Sequence, residues 1–366
     1  MPLSAAGSKL GIVTDNTLGN GRSRAFPWEL GSATGIGSMP GTDPAEAARI
    51  VIGELPDFPY LPELPARGPG ADLIGRTAAL LVDFPVETTT GGWRIAERPG
   101  RYMRAAQSML SSDLDALEEQ LAGFEGPLKV SLCGPWTLAA TIELARTLNP
   151  VLSDQGAVAD LTASLAEATT GFVADVAKRV PGATLIVQLD EPALAAVASG
   201  EVPTASGLSR LPAVDAAVMS DRLRTILAAA GRYTAIHCCA SPVPFTIILA
   251  ARPDAVAFDL SLVRREDGDL VAELADRGAG IFAGAVRTIL PAGTRDDSPS
   301  QTARRILRFW RALGMDPSDA ARQIVVTPAC GLVGATPTRA AEALKHSREA
   351  ARIVPELAEE TTGDEE

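Results

Sequence analysis

Short apolar runs alternate with longer amphipathic segments along most of this chain of 366 residues. The runs are rich in Val, Ile, Leu and Ala and have the length of buried strands, whereas the segments between them repeat their apolar positions with the period of a helix. The pattern predicts seven strands, at residues 33–37, 128–133, 184–189, 232–237, 255–260, 280–286 and 324–328. Residues 80–84 are a possible eighth strand.

Strands that alternate with helices pair in parallel, because each helix carries the chain back across the sheet. This number of repeated units predicts an α/β fold of the (β/α)8 TIM-barrel type, with reactive side chains at the C-terminal ends of the strands. A doubly wound open sheet is the alternative, although no GxGxxG fingerprint follows a predicted strand. We expect one barrel domain at residues 31–355, a poorly ordered arm at 1–30 and an acidic tail at 356–366.

A proline-rich segment follows the first predicted helix. It has prolines at positions 56, 59, 62, 65 and 69, which are incompatible with a continuous helix and indicate a loop. The segment is long for a connection within a compact domain, and such loops are usually functional. The length of the segment therefore favours a functional loop.

Metal-binding side chains gather at the predicted strand ends. His237 and Cys239 are two positions apart, so they point to the same side of an extended chain and Cys238 points away. An imidazole beside a thiolate suits zinc. Cys330 and Asp259 end two other apolar runs, which predicts a site of three or four ligands, with or without Asp259. The alternative is that the buried cysteines act only as small hydrophobic residues.

Composition and charge narrow the class of protein. The net charge of −12 and the pI near 4.8 argue against binding to nucleic acid or to anionic membranes. No apolar stretch reaches the length that spans a bilayer, and no basic segment followed by a hydrophobic run indicates a signal peptide. Four cysteines do not suggest a disulfide framework. We expect a cytoplasmic enzyme.

Six short motifs occur in order over residues 33–340, most of them at predicted strand ends. They are Ile36-Gly37-Ser38, Gly91-Gly92-Trp93, Gly134-Pro135-Trp136-Thr137, Gln188-Leu189-Asp190-Glu191-Pro192-Ala193, His237-Cys238-Cys239 and Cys330-Gly331-Leu332. Together they resemble the C-terminal catalytic domain of cobalamin-independent methionine synthase and its short single-domain relatives. A more distant resemblance, to uroporphyrinogen decarboxylase, shares the barrel and the Gly-Pro-x-Thr motif.

The resemblance implies a zinc-dependent methyltransferase that acts on a small thiol such as homocysteine. The methyl donor would be a folate or a methyl-corrinoid protein. The residues implied to bind the substrate are Ile36, Gly37, Ser38, Asp190 and Glu191, and those implied to bind zinc are His237, Cys239, Asp259 and Cys330. Asp190, the implied catalytic residue, would hold the substrate ammonium group by a charge-assisted hydrogen bond. The alternative role for Asp190 and Glu191 is structural, at the start of the helix before which they lie.

Three differences between this chain and the methionine synthase pattern affect the expected methyl-transfer activity. Asp259 stands where the family has a zinc-binding glutamate, and Arg287 and Ile289 align with an Asp-x-His that serves in proton handling. The N-terminal half of the long methionine synthases, which helps to bind polyglutamyl folate, has no counterpart here. We therefore expect folate-dependent turnover to be slow or absent. A zinc-binding relative with a regulatory role and a decarboxylase of the uroporphyrinogen type are the rival interpretations.

Overall fold

The computed structural model describes residues 26–231, 233–291 and 293–363. Residues 1–25 of the predicted arm and 364–366 of the predicted tail lie outside the described residues. The α-helices of the described chain are α1 Pro44–Glu54, α2 Leu73–Ala78, α3 Arg101–Gln120, α4 Pro135–Thr141, α5 Gln155–Arg179, α6 Leu194–Ser199, α7 Ala216–Ala230, α8 Phe245–Ala251, α9 Gly268–Asp276, α10 Pro299–Ala312, α11 Pro317–Gln323 and α12 Pro337–Gly363. The strands are β1 Val86–Thr89, β2 Gly92–Ile95, β3 Gly126–Cys133, β4 Ala183–Asp190, β5 Thr234–His237, β6 Ala255–Asp259, β7 Gly280–Val286 and β8 Ile324–Pro328.

Strands β3 to β8 form one curled sheet in which every pair is parallel and neighbours follow the order of the chain. Six of the predicted strands, from 128–133 to 324–328, are thereby confirmed, and so is the α/β class. Because the strands are parallel, their C-terminal ends meet at one edge of the sheet. Residues that follow different strands by one or two positions therefore come close together.

Two extended segments continue the hydrogen bonding from both edges of this sheet. Thr34 N donates to Val326 O of β8 at 3.1 Å, and Leu61 N donates to Lys129 O of β3 at 2.9 Å. Between the two segments, Glu63 N donates to the carbonyl of Gly37 at 3.1 Å. The predicted strand at 33–37 thus forms isolated parallel bridges, and part of the proline-rich loop is ordered backbone against the sheet.

Both faces of the sheet are apolar, as expected for parallel strands covered on both sides. One face packs against the helices in the main hydrophobic core. The opposite face builds a smaller core from alternate strand positions such as Ile186, Ala235 and Phe282. The rings of Trp28 and Phe58 close that core, with ring centroids 5.2 Å and 6.0 Å from Phe282. Alternation then carries polar residues onto this inner face near the C-terminal ends of the strands.

Helix boundaries follow local capping chemistry. Asp43 Oδ1 accepts a 2.9 Å hydrogen bond from Ala45 N at the start of α1, with Pro44 at the first helical position. Ser298 and Gln301 form a reciprocal capping box at the start of α10. None of the described helices is both long and apolar enough to cross a membrane.

Two predictions about elements are wrong. Residues 80–84 form no strand, because they belong to the turn that leaves α2; Leu81 and Phe84 reach the core from that turn. The last helix continues to Gly363, so residues 356–363, predicted to be an acidic tail beyond the domain, are helical. The sequence pattern also gave no sign of the antiparallel β1–β2 hairpin, whose strands have only four residues each.

Candidate metal centre and substrate cavity

His237, Cys239 and Cys330 form a compact group at the C-terminal ends of β5 and β8. His237 ends β5, Cys239 follows two positions later, and Cys330 lies two positions beyond β8. The nitrogen and sulfur atoms that they offer all lie within 4.8 Å of one another, and the two Sγ atoms are 3.2 Å apart. Cys238 is instead buried in the main core. The structure therefore brings one imidazole and two thiols of the predicted set together.

Asp190 orients the imidazole of His237. The register of β4 and β5 pairs the two residues, and Asp190 Oδ1 lies 2.6 Å from His237 Nδ1. Gln188 Nε2 donates a 2.7 Å hydrogen bond to the same oxygen. His237 Nε2 is buried, and the described residues offer it no hydrogen-bond partner. A carboxylate behind a histidine is typical of metal sites, because it fixes the tautomer and leaves the other nitrogen for the metal.

The protonation states of the group agree with this arrangement. Burial acts to lower the pKa of His237, but Asp190 and Cys330 together outweigh burial and the pKa rises to about 9. A hydrogen bond with Cys239, assisted by His237, lowers the pKa of Cys330 to about 4. The same contact with Cys330, together with burial, raises the pKa of Cys239. A buried nitrogen without a partner and two sulfur atoms, one readily ionised, fit zinc, which binds such ligands in deprotonated form.

A cavity of about 350 Å³ opens onto this group. Its lining includes all three members of the group, the carboxylates of Glu63 and Asp190, and the predicted turn at residues 36–38. Sites of this kind take small molecules, with a few convergent polar groups to fix their orientation. The predicted substrate and metal residues other than Glu191 and Asp259 therefore share one cavity.

Hydrogen bonds to the carbonyl groups of Ile36 and Ser38 hold the turn Ile36-Gly37-Ser38 in place. Lys129 Nζ and Gln188 Nε2 donate to the carbonyl of Ile36 at 2.7 Å and 2.9 Å. Leu332 N donates to the carbonyl of Ser38 at 2.8 Å. In the described residues, no hydrogen bond uses the N–H groups of Gly37 or Ser38 as donors. Two backbone donors at the cavity wall are thus available to an anionic group of a ligand.

Sequence reasoning missed Glu63 and Lys129, which the inner face of the fold places beside the cavity. Glu63 lies in the proline-rich segment, is 4% exposed and lines the cavity. Burial raises its pKa to about 7. Lys129 is fully buried beneath it, and burial lowers the pKa of its ammonium group to about 8. The available sequence signal was a lysine within an apolar strand, whereas Glu63 shares its proline-rich segment with a second acidic residue, Asp57.

Glu191 has a structural position rather than a place in the cavity wall. Its carboxylate accepts hydrogen bonds from Trp136 N at 2.9 Å, Thr137 N at 2.8 Å and Thr137 Oγ1 at 2.6 Å. These are the first groups of α4, so Glu191 caps that helix, and it is not among the residues that line the cavity. A side chain at Gly134 would collide with this carboxylate, which explains the glycine in the Gly-Pro-Trp-Thr motif. The predicted role of Glu191 in substrate binding is therefore corrected to a structural one.

Asp259 is also not brought into the group. The chain turns into a 3-10 helix at Leu260–Leu262, and Asp259 Oδ1 accepts hydrogen bonds from Ser261 N at 2.8 Å and Ser261 Oγ at 2.7 Å. Among the described residues, the cluster of metal-type ligands contains His237, Cys239 and Cys330 only. The prediction of Asp259 as a fourth ligand is corrected, because the local turn engages its carboxylate.

Comparison with known proteins identifies the family. The family profile described as "Cobalamin-independent synthase, Catalytic domain" matches residues 144–353, more than half of the chain. No curated protein matches the chain.

Among solved structures, a B12-independent methionine synthase from Shewanella sp. W3-18-1, determined in complex with selenomethionine, shares the fold with a TM-score of 0.57. The two chains are 14% identical, and the match covers 90% of this chain and 98% of that chain. An agarase, AgWH50C, reaches a TM-score of only 0.31 at 10% identity, over 71% of this chain and 50% of its own, and does not bear on function. The chain thus belongs to the family of cobalamin-independent methionine synthase catalytic domains.

Proposed function

We propose that this protein is a zinc-dependent methyltransferase that transfers a methyl group to the sulfur of a small amino-acid thiol such as homocysteine. The observation that carries the proposal is the group of His237, Cys239 and Cys330, with ligand atoms within 4.8 Å of one another, in a cavity that is also lined by carboxylate residues and by the turn at residues 36–38. Membership of a methionine synthase-like family supports a methyl-transfer reaction.

His237, Cys239 and Cys330 would hold the metal, with Asp190 keeping the proton of His237 on Nδ1 and Nε2 toward the metal. Bound zinc lowers the pKa of a thiol that joins it and so supplies a thiolate at neutral pH. A free alkyl thiol would be mostly protonated at that pH. The protein's own task is then to orient the acceptor and to keep its thiol beside the three ligands.

The cavity has groups for both ends of an amino acid. The N–H groups of Gly37 and Ser38 would bind its carboxylate, with Ile36 positioned by Lys129 and Gln188. Its ammonium group would lie against Asp190 and Glu63. The described hydrogen bonds of Asp190 both use Oδ1, which leaves Oδ2 for the substrate. Glu63, whose pKa is raised to about 7, would ionise fully when an ammonium group joins it.

We infer that the fold is a (β/α)8 barrel in which the extended segments around residues 33–38 and 60–63 act as the first two strands. The support is the pair of parallel bridges, Ala33 to Val326 and Tyr60 to Lys129, and the bridge between Ser38 and Glu63. Such a ring would place the proline-rich segment inside the site. That placement explains why Glu63 and Asp190 line one cavity.

The donor is a small methylated molecule in this proposal. The family uses methylated folate, whereas no comparison supports a methyl-corrinoid protein as partner.

The residues that follow β7 bear on which donor can react. Arg287 and Ile289 follow β7, and His346 lies in α12 with a 2.9 Å hydrogen bond to Thr302. The segment that follows β7 therefore offers no histidine as proton donor, and a proton donor is typically worth about 10²–10⁴-fold in rate. Donors whose leaving group needs no proton should react faster than methyl-tetrahydrofolate.

Two rival functions predict different results. A decarboxylase of the uroporphyrinogen type needs cationic residues around its substrate, but the described lining of the metal-group cavity contains no arginine or lysine. A regulatory relative would bind zinc and thiol without turnover. The assay is methyl transfer to homocysteine from methyl-tetrahydrofolate, methylcobalamin and a small methylsulfonium compound. Cys239→Ser serves as the metal-site variant and Cys238→Ser as its matched control.

Methionine formation that Cys239→Ser abolishes and Cys238→Ser retains supports the proposal. Inactivity of the zinc-loaded protein with every donor would reject catalysis and favour the regulatory relative. Equal activity in both variants would reject the metal group as the site. Robust turnover with methyl-tetrahydrofolate would overturn the argument from the missing histidine and leave the methyltransferase itself standing.

A further inference from the structure

A second cavity, of about 520 Å³, lies at the C-terminal ends of β6, β7 and β8. Gly284, which lines it, has no room for a side chain, because a Cβ atom there would come within 2.6 Å of Phe258 O and 3.0 Å of the Cα atom of Ala329. Phe309 of α10 provides an apolar wall. The cavity is larger than the one at the metal group and has no role in the function proposed above.

The charged groups that line this cavity are mainly cationic. Arg287, Arg305 and Arg308 face it, and Asp259 is the anionic side chain in the lining. Arg305 is held in place by Asp297 and by the carbonyl of Ala285. No described hydrogen bond or ion pair engages the guanidinium groups of Arg287 and Arg308. The cationic charges exceed the anionic ones even when Asp297 is counted, in a chain whose net charge is −12.

The second cavity adjoins the metal group through one short stretch of chain. Ala329 lines the second cavity, and the next residue, Cys330, lines the first. Consecutive Cα atoms are about 3.8 Å apart, so the linings of the two cavities meet at this point of the chain. Ala329 is anchored by a 2.8 Å hydrogen bond from its N–H to Val286 O of β7. The wall between the cavities is therefore a fixed piece of backbone.

We propose that the second cavity binds the anionic portion of the methyl donor, a molecule that bears carboxylate or phosphate groups. Guanidinium groups match the planar geometry of both anions and bind them by paired hydrogen bonds. Arg305 is already oriented by its partners, while Arg287 and Arg308 have their donors available. Occupation of this cavity would place the remainder of the donor beside Cys330 and the acceptor thiol.

The role as donor site rests on the proposed function, whereas anion binding itself does not.

The test is calorimetric titration of the zinc-loaded protein, at low ionic strength, with two separate probes: glutarate for carboxylates and inorganic phosphate. The variants are Arg287→Gln and Arg308→Gln. Arg304→Gln is the matched control, because it removes the same charge from the exposed side of α10 without lining the second cavity. We expect saturable binding of at least one probe, weakened about tenfold by each test variant and within about twofold of wild type in the control. The stronger probe identifies the anion class.

Failure of both probes to bind, or unchanged affinity in Arg287→Gln and Arg308→Gln, would overturn the proposal. An equal loss in Arg304→Gln would also overturn it, because the attraction would then come from general charge. Titration with homocysteine separates this inference from the proposed function: homocysteine binding without anion binding rejects the second cavity alone. In turnover assays, the bound probe should compete with the donor and leave the KM for homocysteine unchanged. Competition against homocysteine instead would reject the donor role.

Discussion

The clearest perturbation of the metal group is Asp190→Asn, which keeps the size of the side chain and one acceptor oxygen but removes its charge. In the native protein, Asp190 Oδ1 is 2.6 Å from His237 Nδ1. A hydrogen bond to a charged group contributes about 1.5–3 kcal/mol, whereas a neutral one contributes about 0.5–1.5 kcal/mol. The expected loss of about 1.5 kcal/mol corresponds to roughly tenfold weaker zinc binding, at the lower end of the range of about 10–100-fold for residues that support metal ligands.

The same variant should change the stability of the metal-free protein. The pKa of His237 is about 9 in the folded chain and about 6.5 in an unfolded one, so its protonation stabilises the fold fully below pH 6.5. The stabilisation is lost as the pH rises through 9, and about 2.5 pKa units correspond to about 3 kcal/mol. In Asp190→Asn, burial remains and only Cys330 still raises the pKa of His237, so most of this pH-dependent stabilisation should disappear.

The assays are competition for zinc with a chromophoric chelator and urea unfolding of metal-free protein at pH 6 and pH 9.5. Asp259→Asn is the control, because it removes a carboxylate at a strand end outside the metal group. Wild-type zinc affinity in Asp190→Asn, or an equal loss in Asp259→Asn, would refute the assignment of Asp190 as the residue that positions His237. Full retention of the pH-dependent stability in the variant would refute the charge argument.

Three further results are expected. Zinc affinity should fall as the pH drops below about 9, because His237 and Cys239 must release protons to bind; pH-independent affinity in chelator competition would contradict this. Glu191→Gln should lower the free energy of unfolding by about 2 kcal/mol with zinc content unchanged, since it disturbs the buried cap of α4; loss of zinc would instead place Glu191 at the site. Cys239→Ser should lose most zinc by elemental analysis and Cys238→Ser little, and equal losses would mean that both thiols face the metal.

The parallel sheet and the convergence of His237, Cys239 and Cys330 could be predicted from sequence, because both depend on short-range patterns. Apolar runs define the strands, and alternation decides which side chains share a face. Parallel pairing then brings the strand ends together. Cys239 and Cys330 become neighbours in this way although they are 91 residues apart in the chain. Local pattern and global fold agree in these elements.

The site residues that were missed or given the wrong role are those whose hydrogen-bond partners are distant in the chain, or whose side chains are engaged by a local turn. Glu63 becomes buried only because its segment bridges to Ser38, and nothing near it in the chain shows this. Glu191 was ambiguous beside Asp190 until α4 supplied its three donors. Asp259 has the alternation of an inward residue, but the 3-10 turn that follows diverts its carboxylate to Ser261.

The most direct test of the central claim is X-ray absorption at the zinc edge of the purified protein, with and without saturating homocysteine. We predict one imidazole nitrogen and two sulfur ligands from the protein, and one additional sulfur ligand when homocysteine is present. A zinc environment that homocysteine leaves unchanged would contradict the account, and so would a protein that binds no zinc.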